Sequence, residues 1–119
     1  MAFFEGIESQ VKDLDIGLVV LNAGVSVVGS LASSEDIKLQ EMMDTNVYQV
    51  VGMLEKFKKR LESRKTRSGM IVLSSIAAQL PGLPTSVTYG ATKVFVKYLA
   101  VAMDMAGKTS GSKVDMLCL

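Results

Sequence analysis

Ile16-Gly17-Leu18-Val19-Val20-Leu21-Asn22-Ala23-Gly24, residues 16–24, is an apolar run that stops on a polar, small-residue turn. The run before Asn22 is too short to be the core stripe of a helix, and its apolar pattern is continuous rather than alternating. That pattern predicts a strand buried on both faces, as in a parallel sheet. Upstream, residues 3–13 mix apolar and charged positions and read as a short helix. Downstream, small residues continue to Ser34, which can N-cap a helix with Glu35 and Asp36 in its acidic first turn. Helical patterning then extends to about Leu61, with a bend near Asn46.

Ser68-Gly69 breaks the chain again, and Met70-Ile71-Val72-Leu73 is a second buried strand, ending at Ser74-Ser75. A loop with Pro81 and Pro84 leads to a helix from about Thr88 to Ala106. Gly107 to Ser112 reads as a turn and Val114 to Leu119 as a third strand. Helix, strand, helix, strand, helix, strand implies parallel strands joined by right-handed crossovers, a piece of a doubly wound α/β sheet. No internal repeat or domain boundary interrupts residues 1–119, which read as a single domain.

Composition narrows the chemistry. The 119 residues are 49% hydrophobic and 21% charged, which suits one compact domain. A formal net charge of +1 points to no polyanionic partner. The absence of histidine removes Ser-His-Asp and Cys-His catalysis and the usual zinc sites. The single cysteine, Cys118, excludes an internal disulfide framework, fits a reducing intracellular compartment, and reads as a buried small hydrophobe. Glu5 and Glu8 break up any N-terminal secretory signal. The uncharged stretch Ile16 to Ser34 carries too many polar and flexible residues for a membrane span. Lys56 to Arg67 holds seven basic residues in twelve, without the aromatic interleaving that base stacking needs, and reads as a solvated face. The eight methionines are scattered as core filler.

Tyr89-Gly90-Ala91-Thr92-Lys93 places a phenol and an ammonium one helical turn apart, on the same face. A cation beside a phenol favours the phenolate, the condition for tyrosine to act as a general acid or base. The pair follows Ser74-Ser75 at one strand end and Asn22-Ala23-Gly24 at another.

With these residues in place, the chain resembles the short-chain dehydrogenase/reductase family. Asn22-Ala23-Gly24 matches the end of its N-N-A-G motif, with Leu21 in place of the first Asn. Asn46, in Asp44-Thr45-Asn46-Val47, stands where the family's helix asparagine stands, and Ser74-Ser75, Tyr89 and Lys93 match its serine and Y-x-x-x-K pair. Asp15-Ile16-Gly17 and Ala91-Thr92-Lys93-Val94-Phe95-Val96 look most like the branch of hydroxysteroid dehydrogenases and 3-ketoacyl-CoA reductases.

The resemblance implies a partial Rossmann-like domain lacking the N-terminal and C-terminal parts of the fold, and an oxidoreductase that interconverts a carbonyl and a secondary alcohol. Tyr89 is the expected proton donor or acceptor, Ser75 the hydrogen-bond donor to the same oxygen, Lys93 the holder of the nicotinamide ribose, and Asn46 the anchor of a water in a proton relay. Asn22, Ala23 and Gly24 are expected to let the adenosine half of NAD or NADP pass close to the backbone, with Tyr89 and Lys93 also touching the cofactor. The resemblance also implies a small carbonyl or alcohol substrate, lipid or steroid included, and homo-oligomers paired through the two long helices. It is compatible with a longer parent protein at the endoplasmic reticulum membrane.

Ser75 lies fourteen residues before Tyr89, one more than is usual in the family, so Ser74 is the substitute candidate. The family's T-G-x-x-x-G-x-G phosphate loop has no counterpart in this chain. A second reading follows: a non-catalytic interaction or structural subunit derived from such an enzyme, with an open sheet edge and an apolar face for a partner.

Overall fold

A computed structural model of the chain describes residues 2–29, 36–80 and 85–119. The expected Ser34 cap with Glu35, and the Pro81–Pro84 loop, lie outside those residues. Helix α1 (Ala2–Gln10) precedes strand β1 (Leu18–Leu21). Helix α2 (Asp36–Met43) runs through a π-helical turn (Asp44–Tyr48) into α3 (Gln49–Glu62). Strand β2 (Ser68–Val72), a 3-10 turn (Ile76–Ala78), helix α4 (Val87–Ser110) and strand β3 (Val114–Cys118) complete the order. The strands are parallel and adjacent in the order β1-β2-β3. Leu18 is opposite Gly69 and Leu21 opposite Val72; Ser68 is opposite Val114 and Val72 opposite Cys118.

The core follows from periodicity. Val50, Leu54, Phe57 and Leu61 of α3 fall at intervals of four, three and four, and all are buried on one stripe. They meet Leu21, Met70, Val72 and Val114 from the sheet and Val96 and Ala100 from α4. Each fully buried Leu contributes about 1.5–3 kcal/mol by leaving water, and Leu54 and Leu61 qualify. Helix α1 docks through Phe4. Gly52 of α3 makes this possible, because a Cβ there would overlap the Phe4 ring. The Arg60 guanidinium then donates to the carbonyls of Val11 (2.7 Å), Lys12 (3.1 Å) and Leu14 (2.7 Å), closing the chain that follows α1.

The structure corrects three sequence expectations. Strand β1 is not buried on both faces: Leu18 and Val20 are exposed, as are Leu117 and Leu119 on the same side of the sheet. The core cluster draws on the opposite side, where Val19, Leu21, Met70, Val72, Val114 and Met116 point. Helix α1 stops at Gln10 rather than near residue 13: the next N–H groups, of Val11 and Lys12, bond three residues back, to Glu8 and Ser9, and Arg60 takes the carbonyls that follow. Helix α4 does not turn at Gly107. It continues to Ser110 and ends at Gly111, whose φ of 74° is the left-handed conformation typical of a helix C-terminus. Gly107 stays inside the helix, where Ser112 folds back and donates its N–H to the Gly107 carbonyl (2.9 Å).

The basic run is a solvated face, as its composition implies. Lys58 pairs with Glu62, Arg64 with Asp15 and Arg67 with Asp115. Lys58 holds the Glu62 carboxyl below its usual range, mainly by hydrogen bonding.

Candidate active site

The C-terminal ends of β1 and β2, the π-helical turn and the first two turns of α4 converge on Lys93. Its side chain is 5% exposed. Its Nζ donates to the Leu73 carbonyl at 3.0 Å, where β2 has just ended. An ammonium has three N–H donors, and this one pairs with no carboxylate among the described residues. Buried charges are ordinarily paired, because desolvation costs several kcal/mol per ion. The Tyr89 ring lies on the same side of α4, with Lys93 Nζ 5.7 Å from its centroid.

Gly24 closes over this ammonium. A Cβ at Gly24 would lie 3.2 Å from Lys93 Nζ and 3.3 Å from Asn46 Oδ1. A side chain at this point of the loop after β1 would crowd both groups, and glycine avoids that. Asn46, itself almost fully buried, ties that loop down. Its Oδ1 accepts from the Val25 N–H (2.9 Å), and its Nδ2 donates to the Val25 carbonyl (2.8 Å) and to Thr92 Oγ1 (3.1 Å). Thr92 Oγ1 in turn donates to the Tyr89 carbonyl (2.7 Å). The π-helical turn marks the expected bend: Gln49 N–H bonds to Asp44 O, five residues back. Such single π turns recur at functional positions.

The two serines are separated by what their hydroxyls do. Ser74 Oγ donates to the Lys93 carbonyl at 2.8 Å and pins β2 to α4. Ser75 Oγ accepts from the Ala77 N–H at 3.2 Å, which caps the 3-10 turn and leaves its hydroxyl hydrogen without a partner among the described residues. That turn packs on α4 at Gly90, where a Cβ would come within 3.0 Å of the Ala77 carbonyl. Sequence reasoning missed Thr92, the bracing role of Ser74 and the contact at Gly90. Only Gly90 had a local signal, a glycine inside a helical pattern.

Beside Ala23 is an apolar cavity of about 550 Å³, walled by Phe3, Phe4, Tyr48 and Gln49. The Gln49 Oε1 atom is buried with no hydrogen-bond partner among the described residues. A glycine cradle, an under-paired ammonium and an orphaned acceptor beside an apolar cavity together fit the adenosine and ribose portions of a dinucleotide. No glycine-rich turn in this chain fits its pyrophosphate.

This parallel α/β fold carries its Tyr-Lys pair at the carboxyl ends of its strands. A family model described as short chain dehydrogenase matches residues 1–119, and the chain belongs to that family. It is similar to 17-beta-hydroxysteroid dehydrogenase type 3 of Rattus norvegicus, with 29% identity over 116 residues. That match takes in 96% of this chain and 37% of the relative, so the chain spans little more than a third of the relative's length. Among solved structures, a short-chain dehydrogenase from Novosphingobium aromaticivorans superposes with a TM-score of 0.85 at 19% identity, over 97% of this chain and 44% of that one. A short chain dehydrogenase/reductase from Burkholderia phymatum in complex with NAD superposes with a TM-score of 0.85 at 21% identity, over 97% of this chain and 40% of that one. These likenesses establish the partial Rossmann-type fold. No helix among the described residues is long and apolar enough to cross a membrane.

Proposed function

We propose that residues 1–119 form the catalytic half of an NAD- or NADP-dependent oxidoreductase that interconverts a carbonyl and a secondary alcohol. The observation that carries this reading is Lys93, a buried ammonium with one protein partner, set beside Tyr89 under a glycine loop. The nicotinamide supplies the hydride when bound. Tyr89 gives its hydroxyl proton to the carbonyl oxygen in reduction and takes it back in oxidation. Ser75, whose hydroxyl hydrogen has no partner among the described residues, donates to the same oxygen and stabilises charge as it develops there. Ser74 is occupied with the Lys93 carbonyl, which favours Ser75 for this role.

Lys93 would direct its two remaining N–H groups to ribose hydroxyls. Asn46 keeps one Oδ1 lone pair for a relay water after bonding Val25 and Thr92. Asn22, Ala23 and Gly24 would let the adenosine half pass close to the backbone. The substrate is a small carbonyl or alcohol compound, and the similarity to a 17-beta-hydroxysteroid dehydrogenase supports a lipid or steroid. The exposed Phe95, Tyr98, Val101 and Met105 of α4 support pairing with a second copy through the long helices. A parent protein at the endoplasmic reticulum membrane is compatible with that relative.

The test is turnover by a protein that contains this chain together with a phosphate-binding loop. Tyr89→Phe is expected to lower kcat by at least about a hundredfold with cofactor affinity retained. Turnover that survives Tyr89→Phe contradicts the assignment.

A second reading rests on a different observation. Leu18, Val20, Leu117 and Leu119 leave one sheet face apolar and exposed, and β1 has an unpaired edge. This favours a non-catalytic subunit that presents that face and edge to a partner. Absence of NADH and NADPH binding in any longer form supports it over the enzyme.

A further inference from the structure

Lys97 lies one turn beyond Lys93 on α4 and is half-buried. It has no hydrogen-bond or ion-pair partner among the described residues, unlike Lys58, Lys59, Lys108, Arg64 and Arg67, which pair with carboxylates. It lines a cavity of about 450 Å³ shared with Ser75, Gln79, Ile76, Val101 and Leu119. A second, smaller apolar cavity of about 280 Å³ on α4 also has Lys97 in its wall. Cys118 borders the larger cavity, but burial pushes its thiol up, so it stays neutral and does not balance the lysine charge. The result is a largely apolar groove with one unneutralised cation and three polar side chains, Ser74, Ser75 and Gln79, along its wall. A half-desolvated cation of this kind is complemented by an anion whose remaining surface is apolar.

We infer that this groove binds an alkyl carboxylate, with the carboxylate on Lys97 and the hydrocarbon against Ile76, Val101 and Leu119. Because Ser75 borders the same cavity, the site selects substrates that carry an anionic group away from the reacting oxygen. That substrate role rests on the assignment of Ser75 to the reacting centre; the binding itself does not.

The experiment is calorimetric titration of the chain with octanoate and with 1-octanol, at low and at moderate salt. Octanoate is expected to bind about fivefold more tightly than octanol, the scale of one partly solvated ion pair, and added salt should weaken the preference. Lys97→Met should equalise the two ligands, and Lys97→Arg should keep the preference. Lys59→Met, at an exposed lysine elsewhere, should leave it unchanged. Equal affinities in the parent chain, or a preference that survives Lys97→Met, overturn the inference. Turnover that survives Tyr89→Phe, in a protein that also contains a phosphate-binding loop, overturns only the catalytic reading, so the two can fail separately.

Discussion

Lys93 holds its charge at the end of β2 against a single carbonyl, and that has opposite consequences for stability and binding. Replacing an under-paired buried charge with an apolar side chain of similar volume is often neutral or stabilising. Lys93→Met is therefore expected to melt at the same temperature as the parent or higher, followed by circular dichroism. A fall in melting temperature of several degrees would mean that the ammonium is structural. Cys118 offers a simpler reading of its surroundings. Burial raises its thiol, so at mildly alkaline pH iodoacetamide should alkylate it more slowly in the folded chain than in urea; equal rates contradict the described burial. The motif residues Asn46, Ser75, Tyr89 and Lys93 were legible in sequence because their types and order are distinctive. Thr92 was not, since its partner Asn46 is 46 residues away and only the folded chain brings them together. The sequence places Ser75 ahead of Ser74; that the Ser74 hydroxyl is the one facing the α4 backbone appears only in the folded chain.

Elements are held in register by two glycines that admit a neighbour. At Gly52, a methyl group displaces the Phe4 ring and with it helix α1. Gly52→Ala should destabilise the chain despite the higher helix propensity of alanine, worth about 1 kcal/mol. In a Phe4→Ala background the same change should become neutral or stabilising. Urea unfolding of the four proteins measures this coupling, and simple additivity would refute the contact. At Gly90 the obstacle is the Ala77 backbone, which cannot swing aside as a ring can. The kinds and order of elements were legible from apolar runs and their terminators. Boundaries were less so. The carbonyls past the end of α1 go to Arg60, fifty residues on, and the end of α4 depends on Ser112 folding back to Gly107. A bend near Asn46 was expected within the helical pattern, but its π-helical form was not.

At the scale of the molecule, one sheet face packs on α3 and α4 while the other presents Leu18, Val20, Leu117 and Leu119 to solvent. The continuous apolar pattern of β1 promised cover on both sides; the chain itself supplies helices for one. Val20→Lys with Leu117→Lys should reduce binding of a hydrophobic dye and concentration-dependent association. Neither residue is in the core, so each change should shift stability by no more than about 0.5 kcal/mol. Unchanged dye binding would place the accessible apolar surface elsewhere. The proposed site is half written in these residues: a turn to hold a pyrophosphate has no counterpart among them, while Tyr89, Lys93 and Gly24 come together. NADH fluorescence titration of this chain, with Lys93→Met and Tyr89→Phe alongside, tests that account most directly. Weak saturable binding that Lys93→Met lowers at least about tenfold, and Tyr89→Phe leaves nearly intact, is the predicted result. No saturable binding at millimolar NADH, or equal binding by Lys93→Met, contradicts it.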